Sequence, residues 1–131
     1  GRTKRTDERR TLMDWTEYPD GIAHFIHAMN ARYALPVFIA ENGIATDDDA
    51  WRADFIRRHV SAVMKAKADG ADVRGYFHWS NLDNYEWQRG FAPHFGLISV
   101  ARDGTRRIKE SAYAYRDHMK KMLQTVFRRR Q

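Results

Sequence analysis

The octapeptide Pro36-Val37-Phe38-Ile39-Ala40-Glu41-Asn42-Gly43 decides how the rest of this chain is read. Four apolar residues behind a proline predict a short strand covered on both faces. Asn42-Gly43 predicts a turn directly after it, because glycine takes positive φ without steric cost and asparagine tolerates it. Glu41 is then the last residue before the break. A carboxylate at the C-terminal end of a buried parallel strand stands where α/β enzymes keep their reactive groups. On these eight residues alone, an ordinary surface acid at a strand end fits equally well.

Upstream, Ile22, Phe25, Ile26, Met29 and Tyr33 recur at helical spacing and predict a helix over 22–33 with one buried stripe. His24 and His27 lie three apart on it, but no third ligand follows at a spacing that would complete a metal site. Downstream, Thr46-Asp47-Asp48-Asp49 offers capping oxygens and negative charge to the positive end of a helix over about 50–69. The spacing of these acids does not match a calcium loop. The inward face of that helix is Phe55, Ile56, Val60, Val63 and Met64, and Gly70 is its expected stop. Residues 72–79 read as a second strand, rich in aromatics. A polar-aromatic loop over 80–93, a short extended piece over 95–100, a turn over 102–105 and a helix from Ile108 to about Leu123 complete the order. Helices and strands in alternation predict βα units around a parallel sheet.

Composition narrows the function. The chain has 131 residues, the size of one ordinary domain, with ample aromatics for a core (4 Trp, 6 Tyr, 7 Phe). No apolar run is long enough to span a membrane, and no apolar segment follows the charged start Gly1-Arg2-Thr3-Lys4-Arg5 as in a secretory signal. The absence of cysteine excludes thiolate chemistry and fits a cytoplasmic location. The net charge of +6 points toward nucleic acid only until it is located. Residues 1–10 form a basic polar segment and 124–131 a basic tail, whereas 11–117 carry 13 Lys/Arg against 15 Asp/Glu. Basic ends on a mildly acidic body are solvated tails, so no nucleic-acid partner is expected.

The two predicted strands each end in a loop on the same sheet edge, because parallel strands joined through a helix point the same way. Glu41 is therefore expected to converge with Trp79, Glu86 and Trp87. Tryptophan faces match the C–H surface of a pyranose, and carboxylates accept hydrogen bonds from paired hydroxyls. That combination suits a neutral, hydroxyl-rich ligand. Taken singly, each tryptophan fits a plain core position as well.

At this point the chain resembles the family-1 glycoside hydrolases, retaining β-glucosidases and their relatives. Ile39-Ala40-Glu41-Asn42-Gly43 is similar to the family's Thr-Glu-Asn-Gly nucleophile motif, with Ala40 in place of threonine. Gly75-Tyr-Phe-His-Trp-Ser-Asn-Leu-Asp-Asn-Tyr-Glu-Trp87, then Gly90-Phe91 and Phe95-Gly96-Leu97, resembles its last-strand signature, with His94 where Lys or Arg is common. Trp15…Tyr18-Pro19-Asp20-Gly21 is similar to its Trp-x-x-Tyr-Pro-x-Gly segment. The resemblance spans about Thr11 to Lys120. It implies the C-terminal part of a (β/α)8 TIM barrel: the last two βα units and the preceding helix, with the partial barrel domain over 11–123. It implies Glu41 as catalytic nucleophile, Trp79 as the platform under the sugar, Glu86 on its 4- and 6-hydroxyls, Trp87 on its 3-hydroxyl and Phe95 as a pocket wall. It implies retaining hydrolysis of terminal β-D-glycosyl residues, with a β-glucoside or related oligosaccharide as substrate and neither metal nor organic cofactor. The motif carrying the general acid/base glutamate of that family has no counterpart here, so a second chain or self-association completing the barrel is expected. The alternative is a non-catalytic sugar-binding or structural fragment of such an enzyme.

Overall fold

In the computed structural model of the chain, residues 9–128 are described. The first eight residues of the expected basic N-terminal segment and the last three of the C-terminal tail lie outside them. The order is α1 (Pro19–Tyr33), β1 (Val37–Asn42), α2 (Asp49–Ala68), β2 (Val73–His78), a short 3-10 turn (Trp87–Arg89), β3 (Ile98–Val100), β4 (Arg106–Ile108) and α3 (Glu110–Arg128).

β1 and β2 pair in parallel, with Val37 opposite Val73, Phe38 opposite Gly75 and Ile39 opposite Tyr76. α2 is the crossover between them and packs between α1 and α3. Each end of α2 is explained by its sequence. Asp48 caps the start, its Oδ1 accepting the Trp51 N–H at 3.0 Å. At the far end Gly70 takes φ +105°, a conformation that side chains resist. α3 begins on the same acidic run, since the Asp49 carboxylate accepts both the Ser111 N–H (2.8 Å) and its hydroxyl (2.7 Å).

Two apolar clusters hold these elements. Ile26, Ile39, Val63, Ala66, Ala71 and Val73 join α1 and α2 to the sheet. Ile44, Trp51, Phe55, Ile56, Val60 and Leu97 join α2 to the loops above it and to Tyr115 and Met119 of α3. Tyr76 touches both. A fully buried Ile or Val contributes roughly 1.5–3 kcal/mol, so the clusters carry most of the favourable energy.

Outside β1 and β2, three expectations are corrected. On α1 the buried stripe centres on Ile22, Ala23 and Ile26, while Phe25 and Tyr33 are exposed, because the helix leans on α2 and the sheet along one side only. α3 runs past Leu123 to Arg128. Residues 98–108 form an antiparallel hairpin around the expected turn, with Ile98 opposite Ile108.

Phe38 and Phe77 both approach the bare Cα of Gly75 and are more than half exposed. The sheet face opposite the helices is therefore apolar and uncovered among the described residues, which corrects the expectation that β1 is covered on both faces.

Candidate functional site

Above the C-terminal ends of β1 and β2 lies a cavity of about 840 Å³. Glu41, Trp79, Glu86, Trp87 and Phe95 all line it. The structure thus brings together every candidate named from the sequence, and three local devices do so.

The first is a bulge at the end of β1. Ile39 lies opposite Tyr76 and Asn42 opposite His78, so three steps on β1 match two on β2. In a regular strand Glu41 would share a face with Ile39, which is buried among α1 and α2. The extra residue breaks that alternation and turns the carboxylate to the cavity. Asn42 then re-forms the ladder. Its backbone oxygen accepts the Trp79 N–H at 3.0 Å, and its side-chain oxygen accepts the Tyr76 hydroxyl at 2.9 Å.

The second is the close passage of Gly43 under Trp79. A Cβ at position 43 would sit 1.6 Å from the Trp79 carbonyl oxygen, so no larger residue leaves Trp79 where it is. The Trp79–Ser80 peptide bond is cis.

The third is the loop after β2, which folds back on itself. Ser80 N–H donates to Phe95 O, Leu97 N–H to Ser80 O, Ile98 N–H to Asn81 O and Asp83 N–H to Ile98 O, all at 2.9–3.2 Å. Asp83 fixes the turn from the other side, its carboxylate accepting Gly96 N–H (2.8 Å) and the Lys109 ammonium (3.0 Å). Phe95 is held at 3% exposure behind the cavity, with Trp15 tilted against it at 6.2 Å. Between these ladders the loop closes a tight turn, with Glu86 N–H donating to Gly90 O at 2.7 Å. Trp87 takes φ +41° in that turn and stands 82% exposed over the cavity rim.

Beneath the cavity lies a charged layer that sequence reading missed. Glu17, only 8% exposed, accepts the Trp51 indole N–H (2.9 Å) and Arg58 (2.6 Å) on one oxygen. Its other oxygen has no hydrogen-bond partner among the described residues and lies 3.8 Å from His59 Nδ1. His59 stacks on Phe55 and lines the cavity; burial holds its pKa below the ordinary value, partly offset by the Phe55 carbonyl and Glu17. Deeper, neither ring nitrogen of His78 meets hydrogen-bond geometry with a partner among the described residues, and burial, with the Arg52 charge adding to it and the Asn42 and Phe95 backbone opposing it only in part, pushes its pKa down to about 4. Arg52 is itself buried, joined to Asp49 and the Thr46 carbonyl and donating to the His94 carbonyl at 2.9 Å. Nothing in the local sequence marks Glu17 or Arg52, because their roles arise from chain segments brought together only by folding. The arrangement is a cup lined by the carboxylates Glu17, Glu41 and Glu86, the indoles of Trp15, Trp79 and Trp87, and the buried Phe95. Among the described residues no group of three or more His, Asp or Glu side chains is placed to hold a metal ion.

A family model described as glycosyl hydrolase family 1 matches residues 2–123. A β-galactosidase of Sulfolobus acidocaldarius is 42% identical over 105 residues, covering 79% of this chain and 21% of that protein. A bifunctional β-D-glucosidase/β-D-fucosidase of Bifidobacterium breve is 36% identical over 117 residues, covering 79% and 25%. Of solved structures, a β-glycosidase from Pyrococcus horikoshii superposes with a TM-score of 0.79 at 49% identity, over 87% of this chain and 26% of that one. The family 1 β-glucosidase from Thermotoga maritima reaches 0.84 at 34% identity, over 88% and 29%. The chain therefore spans between a fifth and three tenths of these relatives. On the family match and these superpositions, the chain belongs to glycosyl hydrolase family 1 and forms part of its (β/α)8 barrel.

Proposed function

We propose that this chain carries the nucleophile and the sugar subsite of a retaining β-glycosidase. The observation that carries the reading is the single cavity shared by Glu41, Trp79, Glu86, Trp87 and Phe95, drawn from two strand ends and one long loop. In this reading the Glu41 carboxylate attacks the anomeric carbon as the bond to the leaving oxygen breaks, giving a glycosyl ester. Water then attacks the same carbon and releases Glu41. Trp79 lies under the sugar ring, Glu86 accepts its 4- and 6-hydroxyls, Trp87 donates its indole N–H to the 3-hydroxyl, and Phe95 closes the wall. A negative charge at Glu86 disfavours a 6-phosphorylated sugar, which would place like charges together. The relatives' names support β-D-glucosides, galactosides and fucosides as the substrate class.

A retaining mechanism needs a second carboxyl about 5–5.5 Å from the first, to protonate the leaving oxygen and later deprotonate water. We assign that group to barrel structure beyond these 131 residues. The uncovered sheet face at Phe38 and Phe77 supports a further body of protein packing there. Such general acid–base help is worth about 10²–10⁴-fold, so this chain by itself turns over ordinary glucosides poorly.

2,4-Dinitrophenyl β-D-glucoside tests the reading, because its leaving group departs without a proton. The expected result is a burst of one equivalent of dinitrophenolate, absent in Glu41→Ala, followed by slow turnover that azide accelerates. Saturable glucose binding with no burst favours the second reading, a non-catalytic sugar-binding fragment. Neither binding nor burst overturns both.

A further inference from the structure

Glu86 sits in a half-buried position with one side-chain donor on its carboxylate, the Asn84 amide, whose Nδ2 lies 3.1 Å from Glu86 Oε2. Among the described residues no Lys, Arg or His pairs with Glu86. The amide is itself fixed from behind. Ser80 Oγ, in a buried residue, lies 2.6 Å from Leu82 O and 3.3 Å from Asn84 Oδ1, so its proton is shared between two carbonyl oxygens. The Glu86 end assigns the Asn84 amide, with Nδ2 toward the carboxylate and Oδ1 toward Ser80. Reversing it would set a carbonyl oxygen against the Glu86 carboxylate and lose a charge-assisted hydrogen bond. The Glu86 backbone is clamped separately, by its N–H to Gly90 O and its O from Arg89 N–H, at 2.7 and 2.8 Å. The main chain therefore places the residue, and Asn84 sets its terminal oxygens.

We propose that Asn84, backed by Ser80, is a positioning residue that orients the Glu86 carboxylate and so sets affinity for the sugar hydroxyls Glu86 accepts. This rests on the reading of Glu86 as a sugar-binding residue. One carboxylate oxygen is held by the amide while the other is left for the ligand. The other titratable groups lining the cavity are Glu17, Tyr18, Glu41, His59 and Tyr85, and among the described residues none of them has a side-chain hydrogen bond or ion pair with the side chain of Asn84 or Glu86.

Glucose and 4-deoxyglucose, titrated against the full 131-residue chain by tryptophan fluorescence, separate positioning from general support. Asn84→Ala should weaken glucose binding about tenfold, the loss of one charge-assisted contact. It should weaken 4-deoxyglucose less than threefold, since that ligand lacks a hydroxyl that Glu86 accepts. Asn84→Asp should behave like Asn84→Ala at pH 7.5, where two adjacent carboxylates repel, and recover toward wild type near pH 5, where the pair shares one proton. Should either variant lack a cooperative thermal transition, Ser80→Ala reads the same relay from its far end, with about a threefold loss confined to glucose. Equal losses for both sugars, a variant-to-wild-type ratio flat from pH 5 to 7.5, or unchanged binding overturns the proposal. If the wild-type chain binds neither sugar, the sugar-site reading beneath it falls instead.

Discussion

Arg52 is the residue on which the site's back wall depends most, and its removal has a calculable cost. Its side chain is 1% exposed and joins three groups: the Asp49 carboxylate, the Thr46 carbonyl and the His94 carbonyl. Arg52→Met keeps the aliphatic stem and fills the volume, but takes the guanidinium away from the Asp49 carboxylate and from the Thr46 and His94 carbonyls, of which Asp49 keeps Ser111 and His94 O keeps the Thr46 N–H at 3.0 Å. Breaking a buried pair in this way costs about 3–5 kcal/mol. Asp49 stays bonded to Ser111 and is 28% exposed, so we take the lower end, about 3 kcal/mol. Against a total stability of roughly 5–15 kcal/mol, that is a large fraction. With a urea slope of about 2 kcal/mol per molar, the unfolding midpoint should fall by about 1.5 M, followed by tryptophan fluorescence. Arg52→Lys should lose less, because an ammonium keeps the charge but lacks the planar fork that reaches several acceptors at once. Glucose affinity should fall in the still-folded variant, since the His94 carbonyl neighbours Phe95. A midpoint shift of Arg52→Met below about 0.5 M would refute the assignment of Arg52 as the tie between α2 and the cavity wall.

Gly43→Ala should expel Trp79 from its place, because the new Cβ would lie 1.6 Å from the Trp79 carbonyl oxygen; glucose titration should show at least about a tenfold loss while circular dichroism still shows a folded chain. His78 binds its proton with a pKa of about 4 in the folded chain against an ordinary 6.5, so the unfolded chain takes up more protons between those values. Through His78 alone, stability should therefore fall by about 3 kcal/mol as pH drops from 6.5 to 4, and thermal melts of His78→Phe should show a visibly flatter decline over that window. Glu17→Gln keeps an acceptor for the Trp51 indole but loses the charge facing Arg58, which still has Asp54 at 2.7 Å; thermal unfolding should report a loss of about 1–2 kcal/mol, and Glu17→Ala a larger one.

The parts of the fold that were legible in the sequence are those with a repeating local cause. The periodicity of α2, the Asp48 cap, the Gly70 stop and the two short apolar strands are each written within a few residues of where they act. Phe25 and Tyr33 are exposed although they lie on the apolar stripe, because such a stripe shows what could be buried, whereas the neighbours decide what is buried. The β3–β4 hairpin went unseen for the opposite reason: Arg106, Arg107 and Ile108 are all exposed and show no alternation. At the site, motif residues were legible as chemistry, a carboxylate at a strand end and indoles in a loop. The bulge that re-aims Glu41 was not, because it depends on how β1 registers against β2. Glu17, Arg52 and Asn84 act through partners that tertiary folding or loop geometry supplies, and no spacing rule marks them.

Covalent trapping addresses the role of Glu41 as nucleophile directly. 2,4-Dinitrophenyl 2-deoxy-2-fluoro-β-D-glucoside carries a leaving group that needs no acid, and its fluorine slows release of the glycosyl ester. Incubation followed by peptide mass mapping should add one fluoroglucosyl group, located on Glu41 and absent from Glu41→Gln. A folded, glucose-binding chain that carries no label, or carries it on another carboxylate, would show that Glu41 is not the nucleophile.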